Sequence, residues 1–149
     1  MIANFPCRRQ RGNFDCLLAA VGAVLEWQGT ASSATELARW CGAQPGGCYW
    51  DDAVDGLAEA GFELHELLEI SEVISFVEDA SEPFPVVLAV ILDPRQLQSG
   101  SDHAVVVVGV SEEIVSFMDP VTGDIRQLSE GQFWQAWDFA GKKAFAILG

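Results

Sequence analysis

Four residues spread along the chain carry groups that together can perform acyl transfer: Gln10, Cys16, His103 and Asp119. Cys16 opens the segment CLLAAVGAVLEW, Cys16 to Trp27, which is apolar nearly all round and reads as a buried helix. A cysteine in the first turn of such a helix meets unpaired backbone N–H groups and the positive end of the helix dipole. Both favour the thiolate, which is the nucleophilic form. His103 opens the apolar run HAVVVVGV directly after Asp102. Imidazole is the side chain best suited to moving protons near neutral pH. Asp119 closes the following run, IVSFMD. A three-residue hairpin loop centred on Ser111 would set His103 directly opposite Asp119, with Cβ atoms about 4.5–5.5 Å apart. At that range the carboxylate accepts the imidazole N–H and fixes its tautomer. Gln10 precedes Cys16 by six residues. Its amide and the Cys16 backbone N–H would supply two donors to a developing oxyanion. Each residue alone has an ordinary explanation: a helix-starting cysteine, an exposed strand-end histidine, an Asp-Pro turn, a surface glutamine. Together they point to covalent attack on an amide or thioester carbonyl.

The elements that must position these groups are legible in the pattern. After the nucleophile helix, which Asn13 or Asp15 can cap and Gly29 can stop, Ser33 to Trp40 reads as a second helix opened by a capping box, Ser33 with Glu36. Trp50 to Ala60 reads as a third, with an acidic first turn suited to the helix dipole. Phe62 to Leu67 alternates like a short strand, and Ser71 to Asp79 reads as a short helix. The second half changes character. Phe84 to Leu92, His103 to Val110, Ile114 to Met118, Ile125 to Leu128 and Lys143 to Leu148 read as strands, with Thr122-Gly123-Asp124 as a turn. Between the last two strands, Ser129 to Trp137 is a helix with Ser129 as its N-cap. Helices first and an antiparallel sheet second make an α+β chain. No repeat or linker divides it, so residues 1–149 are expected to form one domain.

Charge and composition exclude several functions. The formal net charge is −14, which makes nucleic acid a poor partner. No Lys or Arg occurs between Arg39 and Arg95, where twelve acidic residues stand. That stretch is read as a solvated face. Arg8, Arg9 and Arg11 form a basic cluster beside Gln10, either a solvated loop or a greeting for an acidic peptide. No apolar run approaches the roughly 18–20 residues of a membrane span. The N-terminal residues MIANFPCRRQ carry no signal-peptide core, so a cytoplasmic protein without membrane insertion is expected. Cys7, Cys41 and Cys48 are then read as thiols, with an occasional Cys41–Cys48 disulfide as the alternative. No CxxC occurs and there are only two histidines, so no metal site is expected. His65 is read as structural, and Trp134 and Trp137 as core cover.

The ordered set resembles a known family. Gln10 to Cys16, then His103-Ala104-Val105-Val106-Val107-Val108-Gly109, then Asp119-Pro120-Val121-Thr122-Gly123, then Phe133 to Trp137 resembles the bacteriocin-processing peptidases. These are papain-like cysteine peptidase domains that cut leader peptides after a double glycine, often fused to ABC exporters. The resemblance spans nearly the whole chain and implies a stand-alone domain of papain-like fold, the nucleophile helix packed on a C-terminal antiparallel sheet. It implies Cys16 as nucleophile, His103 as base, Asp119 as orienting carboxylate and Gln10 as oxyanion donor. It implies no cofactor, a peptide or protein substrate, and association with an exporter or precursor peptide. The family places Gly after the nucleophile, whereas Leu17 stands here, a bulkier side chain expected to alter the cleft. Deamidation, transfer to an amine, and peptide binding without catalysis remain the alternatives on the same residues.

Overall fold

The computed structural model describes residues 1–12, 15–30, 32–45, 47–92 and 103–148. In chain order the elements are α1 (Cys16–Trp27), α2 (Ala34–Trp40), α3 (Trp50–Glu59), β1 (Leu64–Glu66) and α4 (Ile70–Val77). There follow β2 (Val86–Val90), β3 (His103–Ser111), β4 (Ile114–Asp119), β5 (Asp124–Ser129), α5 (Glu130–Phe139) and β6 (Ala144–Ile147). The strands form one six-stranded antiparallel sheet in the order β1-β6-β2-β3-β4-β5. The α+β architecture expected from the sequence is the one observed. The sheet is not confined to the second half, because β1 joins its edge with Leu64 opposite Ile147.

Helices cover both faces of this sheet. On one face Leu17, Val21 and Val24 of α1, with Leu37 of α2 and Leu57 of α3, pack on Val87, Ala104, Val106 and Val108. On the other, Val73 and Val77 of α4 and Phe133 and Trp137 of α5 pack on Leu88, Val105, Val107 and Phe117. Successive strand residues point to opposite faces, so a strand covered on both sides has no place for a polar residue. That is why VVLAV and AVVVV read as unbroken apolar runs, and all ten of their residues are buried.

Local chemistry sets the helix ends. The capping box at α2 forms as expected, with the Glu36 N–H donating to Ser33 Oγ and the Ser33 N–H to Glu36 Oε1, both at 3.1 Å. Ser129 caps α5 by accepting from the Gln132 N–H at 3.3 Å. The cap expected at α1 does not form from Asp15, which occupies the N-cap position without a side-chain bond. Asn13, the other candidate, lies outside the described residues, as does Asp102. Burial of eight of its twelve residues holds α1 instead. The chain turns after α1 at Gly29, whose φ of +87° lies in the left-handed region. Gly56 of α3 sits so close to the end of α2 that a Cβ there would lie 1.9 Å from the Trp40 carbonyl oxygen.

Candidate active site

The site is built at one end of β3 and β4, and the hairpin between them differs from the expected one. Its turn has two residues, Glu112 and Glu113, with φ of 53° and 65°, and Ser111 pairs with Ile114. A two-residue turn with both residues left-handed follows the native twist of paired strands. The register then shifts between Val107 and Gly109. His103 therefore does not stand directly opposite Asp119. Val106 pairs with Met118, and extending that register places Asp119 opposite Val105, two residues from His103 on the same face. Without the bulge Asp119 would fall opposite Val106, on the face away from His103. The irregularity at Val108 thus aims the carboxylate at the imidazole.

The contact is direct. His103 Nε2 lies 2.6 Å from Asp119 Oδ1. The Asp119 carboxylate is only 2% exposed and takes two further donors: the Val121 N–H at 2.9 Å on Oδ1, and Arg126 Nη1 at 2.6 Å on Oδ2. Burial works against its charge, but the bonds from His103, Arg126 and Val121 outweigh burial and hold its pKa down at about 2. Burial likewise opposes a charged His103. The bonds to Asp119 and Cys16 and the charges of both overcome it, and its pKa is pushed up to about 9. With Nε2 spent on Asp119, Nδ1 is the nitrogen left for Cys16. Cys16 is half-buried in the first turn of α1, and its Sγ accepts the Ala104 N–H at 3.4 Å. That bond sets the thiol beside the start of β3, where the imidazole and carboxylate meet.

Gln10 is brought near this site by its backbone, whose N–H donates to the Pro120 carbonyl at 2.8 Å, beside Asp119. Its side chain does not take the expected position. Nε2 donates to the Gly12 carbonyl at 2.8 Å, and Oε1 is buried with no partner among the described residues.

The family match covers residues 2–145 and carries the description Peptidase_C39 like family. The chain belongs to the Peptidase_C39-like family. It is a cysteine peptidase by that membership. No curated protein matches it significantly in sequence. Among solved structures it is similar to the peptidase domain of Streptococcus ComA, a bifunctional ABC transporter of a quorum sensing pathway, at 19% identity and a TM-score of 0.73, covering 97% of each chain. A putative C39-like peptidase from Bacillus anthracis is 18% identical with a TM-score of 0.78, covering 100% of this chain and 96% of that one. A double glycine motif protease from an AMS/PCAT transporter, solved in complex with a leader peptide, is 14% identical with a TM-score of 0.70, covering 97% of this chain and 91% of that one. At these identities the structures show the shared fold.

Several C39-like motif positions prove to be structural. Gly123 closes the turn after Asp119, donating to the Asp119 carbonyl at 2.7 Å with a φ of +71°. Gly109 leaves room for Met1, whose Cγ would lie 2.8 Å from a Cβ there. Phe133 and Trp137 are core, and the Trp137 indole donates to the Lys143 carbonyl at 3.1 Å. Trp134 also packs in that core. Leu17 is 4% exposed and packs beneath α1, so it fills the core rather than the cleft. His65 is exposed on β1 and stacks on Phe76. All four cysteines are free. A hydrogen bond between Cys41 and Cys48 pushes the buried Cys41 thiol up and the Cys48 thiol down.

Arg126 is the site residue that reading the sequence missed. A signal was present. The Thr122-Gly123 turn pairs Asp119 with Asp124, which puts Arg126 two residues on and on the same face as Asp119. Arg126 is fixed by stacking over the Phe117 ring, 5.8 Å from its centroid. Among the described residues no cluster of His, Cys, Asp and Glu able to hold a metal ion occurs, and no helix is long and apolar enough to cross a membrane.

Proposed function

We propose that the chain cleaves a peptide amide bond through an acyl-enzyme on Cys16, with His103 as proton carrier and Asp119 as its orienting carboxylate. The observations that carry this reading are the 2.6 Å contact between His103 and Asp119 and the Cys16 Sγ that accepts the N–H of Ala104, the residue next to His103, at the first turn of a buried helix. A His103 held protonated beside the sulfur is the setting that favours a thiolate. The Cys16 sulfur attacks the carbonyl carbon. The oxyanion that develops is met by the Cys16 backbone N–H and by Gln10 Nε2, which leaves the Gly12 carbonyl to reach it. Collapse breaks the C–N bond as His103 gives its proton to the leaving amine. The neutral imidazole then takes a proton from water, whose oxygen attacks the thioester and releases the acid. Asp119 keeps the proton-bearing Nε2 turned away, so that Nδ1 serves the sulfur throughout.

The substrate we propose is a leader-bearing precursor peptide cut after a double glycine, processed in the cytoplasm in association with an exporter by residues 1–149 acting as one domain. Family membership and the similar double glycine motif protease support this choice. The test is incubation with a synthetic peptide holding an internal Gly-Gly, followed by mass spectrometry of products and of the acid-quenched enzyme. The expected result is cleavage after the second Gly, an acyl adduct on Cys16, and neither in Cys16→Ala. Cleavage that persists in Cys16→Ala would overturn the mechanism. Loss of ammonia from a side-chain amide without cleavage would shift the reading to deamidation.

A further inference from the structure

The chain has eight Lys and Arg against twenty-two Asp and Glu, yet three of the eight stand at positions 8, 9 and 11. The fold gathers these three around one pocket of about 540 Å³ between the N-terminal segment, the first two turns of α1 and the start of α2. Gln10 and Asp15, the residue before the nucleophile, also line it. Cys16 is not in its lining; the pocket adjoins the candidate site through Gln10 and through Asp15, the neighbour of Cys16 in the chain.

The charges around this pocket are unevenly spent. Arg8 reaches Glu26 at 3.4 Å, and its guanidinium fills the notch at Gly22, where a Cβ would lie 2.3 Å from Nη1. Arg9 and Arg11 are exposed and make no ion pair or hydrogen bond among the described residues. Asp15 is the one carboxylate in the lining, so the pocket is cationic in a strongly anionic molecule. Two polar atoms of the lining are also buried without partners among the described residues: Ser32 Oγ, which can donate, and Gln10 Oε1, which can accept. A peptide segment bearing a carboxylate answers all of these at once. Its carboxylate oxygens take the guanidinium and hydroxyl donors, and a backbone N–H satisfies Gln10 Oε1.

We propose that this pocket is a subsite for an Asp or Glu side chain of the peptide substrate, close to the bond that Cys16 attacks. The proposal rests on the peptidase reading and names its substrate class. The net charge of −14 repels an acidic peptide, so this basic face both admits and orients it.

Two readouts test it. The first compares alkylation of Cys16 by anionic iodoacetate and neutral iodoacetamide. The ratio of the two rates is expected to fall about tenfold in Arg9→Gln/Arg11→Gln. The second selects peptides from a positional-scanning library on the Cys16→Ala protein. Enrichment of Asp or Glu at one position is expected, and its loss in the same double substitution. An unchanged alkylation ratio, or bound peptides with no acidic preference, would overturn the subsite. Failure of the peptidase reading shows separately, as the absence of any His103-dependent reaction of Cys16 with iodoacetamide. The library result then decides the pocket alone.

Discussion

Replacing Asp119 by Asn tests the electrostatics of the site with almost no change of shape. The carboxylate accepts from His103 and Val121 on one oxygen and from Arg126 on the other. Asn has one acceptor oxygen. If it faces His103 and Val121, its NH2 confronts the Arg126 guanidinium. If it faces Arg126, the NH2 confronts His103 and forces the proton onto Nδ1, the nitrogen that must serve Cys16. Either way the ion pair is lost. The rise of His103 from 6.5 to about 9 corresponds to about 3 kcal/mol. The fall of Asp119 from 3.8 to about 2 corresponds to about 2 kcal/mol. The two shifts share the His103–Asp119 contact, to which Cys16 adds on one side and Arg126 and Val121 on the other, so they are not summed and the loss is about 2–3 kcal/mol. The Asp119 contribution is present above pH 3.8 and lost as pH falls through about 2. The His103 contribution is full below pH 6.5 and lost as pH rises through about 9. Asp119→Asn should therefore cost most stability between those limits, near pH 5, and less above pH 9, where only the bonds from Arg126 and Val121 remain to be lost. Proton NMR reads the cause directly, because the chain has only two imidazoles and His65→Gln assigns them. The His103 midpoint should fall by about 1–3 pH units. Turnover should fall by about 10³–10⁴-fold through the wrong tautomer, by analogy with the serine-protease triad. A His103 midpoint that is the same in Asp119→Asn as in the native protein would show that Asp119 does not hold the imidazole protonated.

Arg126→Gln leaves Asp119 Oδ2 short of a charged donor, so unfolding free energy by denaturant should drop by about 1–3 kcal/mol. The pH–rate profile should shift as Asp119 titrates at higher pH, which a merely structural role would not produce. Gly56→Ala drives a Cβ against the Trp40 carbonyl and should lower stability by about 1–3 kcal/mol, read as a melting temperature lower by several degrees. Leu17→Ala should cost about 2–5 kcal/mol in a denaturant titration while leaving cleavage specificity unchanged, since the side chain is core.

Much of this fold could be read from the chain because its signals are local. The helix starts at Ser33 and Ser129 are written in side chains that satisfy backbone donors, and both caps form. The buried strands announce themselves because two covered faces demand apolar residues throughout. Register was the harder quantity. Glu112-Glu113 lacks the Asn-Gly signature of a two-residue turn, and a bulge inside a run of four valines leaves no trace in composition. The expected three-residue loop therefore misplaced Asp119 by two positions. His103 and Asp119 still meet, because an even offset keeps both on one face. Gln10 shows the opposite limit. Its spacing from Cys16 suggests an oxyanion donor, but the direction of its amide depends on a competing carbonyl at Gly12 that spacing alone does not reveal.

The most direct test of an activated Cys16 is alkylation of the native protein by iodoacetamide at mildly acidic pH, mapped by mass spectrometry, with His103→Ala beside it. Cys16 is expected to react first among the four cysteines and at least about tenfold more slowly in His103→Ala. Equal labelling of Cys7, Cys16 and Cys48, or a Cys16 that reacts as fast without His103, would contradict it.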